Sequence, residues 1–350
     1  MTQLRIAVAG AGIIGRRHIE LIQANPGCLL SAIVDPSEPA AAVAAAAGVP
    51  LYKDLRSLFA AQTPDGVVLA TPNHLHVDQA LECIAAGVPA LIEKPVAHTL
   101  EEGERLLKAA DAKKARLLVG HHRAYSPILE RAREVVREGL LGKLVSVNGS
   151  ATFYKPDDYF DAAPWRRQPG GGPILINMIH EIGNLRSLCG EIVAVQAMAS
   201  NATRGFPVED TVAINLRFAN GALGTFLLSD TAASARSWEQ TSQENKAYPT
   251  YPDEDCYVIA GTNGSLSVPT MRLKTYARDE DRSWWKPFRE ETMALDRVDP
   301  LERQLDHFCD LIRGDAQARV SVRDGLQNLR IVEAIAEAAK TGAVVRTEAS

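Results

Sequence analysis

Near the N-terminus, Leu4-Arg5-Ile6-Ala7-Val8-Ala9-Gly10-Ala11-Gly12-Ile13-Ile14-Gly15 is a short apolar run that passes without a spacer into a Gly-x-Gly-x-x-Gly turn. A strand delivered into such a turn, with a helix opening beyond it, starts a βαβ unit that holds a dinucleotide. Gly10 permits the tight turn, Gly12 removes a Cβ where a pyrophosphate would approach, and Gly15 lets the helix lie close on the strand. The first helical turn presents its N–H groups to the phosphates, so Ile13 and Ile14 count among the expected cofactor contacts.

The glycine triplet alone discriminates weakly, and an acidic residue about 20 positions later is the sharper test. Asp35 meets it, closing the apolar run Leu29-Leu30-Ser31-Ala32-Ile33-Val34. Its carboxylate is placed to accept from an adenosine ribose diol and to repel a 2′-phosphate. NAD is therefore expected over NADP.

Composition narrows the partners. The 350 residues are 46% apolar and 23% charged, enough for two domains with their own cores. A net charge of −5, from 38 basic and 43 acidic side chains, offers no field to hold a polyanion, so nucleic acid is not an expected partner. No apolar run approaches the roughly 20 residues that cross a bilayer, and the N-terminus enters a strand without a signal-peptide pattern. A cytoplasmic protein without a membrane partner is expected. Cys28, Cys83, Cys189, Cys256 and Cys309 are odd in number, far apart and without a Cys-x-x-Cys pair, which points to buried thiols and to no metal site.

Through residue 123 the pattern alternates strand and helix. Strands are expected near 4–9, 29–34, 66–70, 89–93 and 117–120, with helices over 15–24, 38–47, 74–86 and 99–113, as in a parallel sheet covered on both faces. After a helix over 126–139, strands near 143–154, 192–198, 209–218, 222–229, 256–261, 264–268 and 271–277 follow one another with short turns. Asn220-Gly221 and Asn263-Gly264 mark hairpins. The expected class is α/β: a doubly wound parallel sheet over 1–123, then an α+β domain over 124–350 with a largely antiparallel open sheet. A helix is expected from Pro173 to Cys189, after Gly170-Gly171-Gly172. Helices near 300–313 and 323–341 could pack back on the first domain. The stretch from Ser229 to Asp255 is too long for a simple turn and suits a loop that closes over a ligand.

Glu93-Lys94-Pro95 ends the fourth strand, and ligands bind at the carboxyl ends of strands in an open α/β sheet. An ammonium at Lys94 could steady negative charge developing on a substrate oxygen. Thr71-Pro72-Asn73, followed by His76, also comes directly after a strand and could border the cofactor. In the later helix His180 is the side chain suited to take a hydroxyl proton near neutral pH. Trp165 and Arg166 lie just upstream of its glycine run, and with Arg123 they are grouped among the cofactor contacts.

Taken together, in order and spacing, these segments resemble the Gfo/Idh/MocA family, named for glucose-fructose oxidoreductase, inositol dehydrogenase and a rhizopine-catabolism protein. The resemblance spans nearly the whole chain. It implies a Rossmann domain, a C-terminal α+β domain that makes homodimers or homotetramers, and NAD(P)-dependent oxidation of a sugar, cyclitol or related diol. Lys94 and His180 match the family's catalytic lysine and histidine. The aspartate that usually stands four residues before the histidine is Ile176 here, and one that usually stands three after it is Gly183. Asn177, three before His180, is expected on the same helical side, where a neutral amide would steady the imidazole without supplying charge. That shifts acid–base work toward Lys94. Two alternatives remain open: a cyclic dihydrodiol dehydrogenase of the same family, for which Tyr154, Arg166, Arg167, Trp238, Tyr248 and Tyr251 would suit a carboxylated ring, and a non-catalytic NAD-binding regulator.

Overall fold

The computed structural model describes residues 3–347, which form two compact units. One comprises the chain up to His122 with Leu301–Leu329; the other comprises Arg123–Pro300 with the residues from Arg330 onward.

The first unit runs β1 (Leu4–Ala9), α1 (Ile13–Ala24), β2 (Cys28–Val34), α2 (Pro39–Ala47), β3 (Leu51–Tyr52), α3 (Leu55–Ala61), β4 (Gly66–Leu69), α4 (His76–Ala86), β5 (Ala90–Glu93), α5 (Leu100–Lys113) and β6 (Leu117–Gly120). All strand pairs are parallel, in the order β3-β2-β1-β4-β5-β6. The direction of winding reverses between β1 and β4, which is where such sheets bind ligands. Strands β4, β5 and β6 are buried at every residue because helices cover both faces. Gly48, at φ +69°, caps α2 as its position after the alanine run suggests. Strand β3 and helix α3 were not expected. The first has two residues, too few for a period, and the second is set by Asp54, whose carboxylate accepts from Ser57 N at 2.8 Å.

The second unit contributes α6 (Pro127–Arg137), β7 (Leu144–Thr152), α7 (Asp157–Asp161), α8 (Ile179–Cys189), β8 (Ile192–Ser200), β9 (Thr211–Phe218), β10 (Leu223–Ser229), α9 (Trp238–Thr241), β11 (Tyr257–Gly261), β12 (Gly264–Val268), β13 (Arg272–Thr275) and β14 (Arg289–Thr292). Helices α10 (Pro300–Arg313) and α11 (Val322–Thr341) and strand β15 (Val345–Arg346) complete the chain. The nine-stranded sheet has the order β14-β13-β12-β11-β7-β10-β9-β8-β15, antiparallel except for the β7–β10 pair. Both Asn-Gly pairs sit at the expected hairpins, β9–β10 and β11–β12. On one face Ile128, Leu129, Ile182, Leu185 and Ile335 pack with Val147, Ile214, Phe226 and Ile259 in a single core. Among the described residues no helix is long and apolar enough to cross a membrane.

Two expectations change. The helix over 173–189 is interrupted at its start: Ile174–Met178 is a π-helical turn, and the α-helical register begins only at Ile179. Pro173 has no N–H to leave unpartnered, and that of Ile174 donates to Glu209 Oε1 at 3.0 Å, so the opening of the segment is satisfied from outside it. The stretch from Ser229 to Asp255 is not an open loop. Ser237, Trp238, Thr241, Ser242 and Glu244 within it are buried, and α9 forms one of its turns.

Candidate active site

In the first unit the three glycines of the opening turn have distinct reasons to be glycine. Gly10 has φ +94°, and a Cβ there would stand 2.5 Å from Ala70 O. A Cβ at Gly15 would stand 1.9 Å from Gly10 O, so α1 can approach β1 only without one. Around Gly12 a Cβ would meet nothing within 4 Å. That opening lies at the N-terminus of α1, where no side chain caps the helix and Ile13 is 86% exposed. Free N–H groups beside an open glycine form a cradle for a pyrophosphate. Asp35 Oδ2 accepts from Ala11 N and Oδ1 from Ser37 N, both at 2.8 Å, which ties the acid to this turn. Partial burial raises its pKa, but those bonds overcome the effect and hold it below the ordinary carboxylate value. Each oxygen keeps a lone pair for a ribose hydroxyl. The residues fit NAD.

At the carboxyl end of β5, Glu93 is buried and braces the backbone of Lys94, whose N–H donates to Glu93 Oε2 at 3.2 Å. His18 of α1 lies 2.9 Å from Glu93 Oε1, and its Nε2 must be the donor because a carboxylate only accepts. Burial pushes Glu93 up, yet the His18 bond and charge, with Lys94 and His122 nearby, bring it down to about 2. Lys94 itself is half-buried.

His76 requires a correction. Its Nδ1 faces Pro95 O and its Nε2 faces Thr71 O, each at 2.8 Å, and the ring is buried. It staples the loop after β4 to the segment after Lys94 and has no nitrogen left for a cofactor. Burial pulls its pKa below the ordinary value, against the opposing pull of the two carbonyls. Thr71 donates its hydroxyl to Gln79 Oε1 at 2.6 Å, while Pro72 is exposed and Asn73 half-buried at the start of a short 3₁₀ turn.

Arg123 is the second correction. It belongs to the second unit, is buried, and donates to Glu181 Oε1 at 2.6 Å and to Glu239 Oε1. Its guanidinium also lies 5.7 Å from the Trp238 ring, which stacks on Tyr257. Tyr257 in turn donates to Glu181 Oε2 and accepts from Asn184 Nδ2. Burial works against the charge on Arg123, but Glu239 and Glu181 outweigh it and raise its pKa further. So enclosed, the guanidinium spends its donors on carboxylates within the second unit.

Asn177 and His180 lie on the π turn and on α8, His180 half-buried. Asn177 does not steady the imidazole as expected. The π turn places its amide elsewhere, where Oδ1 accepts from Lys155 Nζ at 2.7 Å. Lys155 is buried, 3.7 Å from Asp230 Oδ2 and 4.8 Å from the Tyr159 ring centroid. Sequence reasoning missed it because Tyr154-Lys155-Pro156 reads as a solvated strand end. Trp165 is 55% exposed, and Arg166 donates to Tyr159 O at 2.5 Å while lying 3.8 Å over that ring.

Family profiles decide the lineage. That of the Gfo/Idh/MocA oxidoreductases, described as an NAD-binding Rossmann fold, matches residues 4–121, and that of the family's C-terminal domain matches residues 129–267. The chain belongs to the Gfo/Idh/MocA family. Relatives include the rhizopine catabolism protein MocA of Rhizobium meliloti, 27% identical over 96% of this chain and 95% of that one. Another is 1,5-anhydro-D-fructose reductase of Ensifer adhaerens, 28% identical over 98% of both. Among solved structures, the WlbA dehydrogenase of Bordetella pertussis, in complex with NADH and UDP-GlcNAcA, superposes with a TM-score of 0.78 at 26% identity, covering 99% of this chain and all of that one.

Proposed function

We propose that this Gfo/Idh/MocA member is an NAD-dependent dehydrogenase acting on a secondary alcohol or lactol carbon of a sugar, cyclitol or related polyol. Gly12 and the first-turn N–H groups of α1 would hold the pyrophosphate, and Asp35 the adenosine ribose. Thr71, Pro72, Asn73, Trp165 and Arg166 are proposed to border the cofactor. NAD, when bound, supplies the acceptor for the hydride that leaves the alcohol carbon. His180 takes the hydroxyl proton, and the Lys94 ammonium steadies the oxygen as it loses that proton. The observation that carries the reading is the bracing of Lys94: a buried, ionised Glu93, itself held by His18, fixes the lysine's backbone at the carboxyl end of β5. The activity named for the Ensifer reductase supports a sugar or polyol substrate.

The test is a panel of polyols, sugars and cyclic diols with NAD or NADP, followed by the absorbance of the reduced nicotinamide. Lys94→Ala should lower kcat/KM by about 10²- to 10³-fold while NAD still binds. A Lys94→Ala enzyme as fast as the wild type, or tighter binding of NADP than of NAD, sinks the reading. In a double-mutant cycle with His180→Ala, losses much smaller than the product of the single losses would mark two groups serving one step. The same reading gives a cytoplasmic homodimer or homotetramer.

A further inference from the structure

We infer that Lys155 is a positioning residue for substrate: it holds the Asn177 amide by its oxygen and so presents the Asn177 Nδ2 group as the donor to a substrate oxygen near the one that His180 deprotonates. This rests on the proposed function of the same site. Lys155 is fixed at every level. Its N–H donates to Asp230 O at 2.8 Å, its carbonyl accepts from Arg204 at 2.7 Å, and its side chain is buried against Tyr159 and Phe153. A lysine buried only for structure would close on its carboxylate, but Asp230 Oδ2 stands 3.7 Å away while Arg204 Nε takes Oδ1 at 3.0 Å. The closer partner is Asn177 Oδ1, at 2.7 Å.

An ammonium can only donate, so it dictates which end of the amide faces it. Two N–H donors of Asn177 then remain on a half-exposed side chain, and among the described residues nothing accepts from them. The substrate is accordingly one with an acceptor, a hydroxyl, carbonyl or carboxylate oxygen, on a carbon neighbouring the reacting one.

The arrangement is sensitive to pH. Burial lowers Lys155 to about 8 against the pull of Asp230 and Glu239, with Arg166 adding to the fall. Glu209 and Arg204 also face it, one of each sign. Neutral lysine can accept as well as donate, so above that pH the amide is released to flip and substrate binding weakens.

Two readouts test this. Without substrate, the Lys155 side-chain NMR resonance, assigned by its loss in Lys155→Met, should titrate near pH 8 and fall by about half a unit or more in Asn177→Leu. With saturating NAD and myo-inositol or another active polyol from the panel, wild-type KM should rise from pH 7 to 9. Lys155→Met should show a KM raised about tenfold at pH 7 and flat across that range, with kcat little changed. Lys155→Arg, a permanent donor, should restore the low KM and abolish the rise. An unmoved titration in Asn177→Leu overturns the inference, as does a Lys155→Met enzyme that loses kcat alone and keeps the wild-type pH profile. If no polyol is turned over but the titration behaves as stated, the lock on Asn177 stands and the reaction reading falls.

Discussion

Two buried glutamates set opposite pH dependences, and each is a matter of one side chain and its immediate partners. Glu93 is held at about 2, below its ordinary 4.5. A depressed carboxylate contributes stability that is present above the unfolded value and lost as pH falls through the folded one, here between 4.5 and about 2, on the order of 3 kcal/mol. His18→Leu, which leaves the carboxylate buried without that partner, should cost about 3 kcal/mol at pH 7 and flatten the acid limb in urea unfolding at successive pH values. Glu244 is the reverse case: burial raises it to about 7 against bonds from Ser126 and Trp238, so it draws down stability as pH rises from 4.5 to 7. Glu244→Gln keeps an acceptor for Trp238, and its gain over wild type should grow across that interval to about 3 kcal/mol and then level off. Neither glutamate's environment could be read from sequence, nor could that of Lys155, because their partners lie 75, 6 and 22 positions away with no common spacing. Asp35 and Lys94 were legible because each closes an apolar strand, and a strand end in a parallel sheet is a place with a known use.

At the level of elements, the close seat of α1 on β1 separates two glycines that look alike in sequence. A Cβ at Gly15 would collide with Gly10 O, a backbone atom that cannot turn aside, so Gly15→Ala should displace α1, lower stability by several kcal/mol and abolish NAD binding. Gly12→Ala meets open space at φ −73° and should leave the melting temperature nearly unchanged while weakening NAD binding. Thermal unfolding and NAD titration of the two variants check this; equal melting losses would contradict it. Most strands and helices were readable because a period of 2 or 3.6, or a wholly apolar run, persists over four residues or more. Strands β3 and β14 escaped, one for its length and the other because Arg289-Glu290-Glu291-Thr292 is exposed throughout and has no apolar face to show. The π turn escaped too, because five residues in a wider register leave no period of their own in the sequence.

For the whole molecule, the nine-stranded sheet has one packed face and one bare one. Strands β9 and β10 alternate between buried and exposed residues from Val212 to Phe218 and from Leu223 to Leu228, and Met198 of the neighbouring β8, at 78% exposure, joins Leu223 and Leu227 on the outward side. Between them runs a polar ladder in which Asn148 donates to Thr225 at 2.9 Å and Asn215 to Gln196 at 3.4 Å. The edges do not invite extension: β14 is charged and exposed, and β15 has two residues. A second copy would therefore seat on the face and not continue the sheet, and that face is the surface assigned to the proposed homodimer or homotetramer. Met198→Lys with Leu227→Glu puts two charges into the middle of such a contact without touching the core side of either strand. Light scattering after size exclusion should give a dimer or tetramer for the wild type and a monomer of about 38 kDa for the double variant. A wild type that is already monomeric at the concentrations used for turnover would remove the face from the proposal.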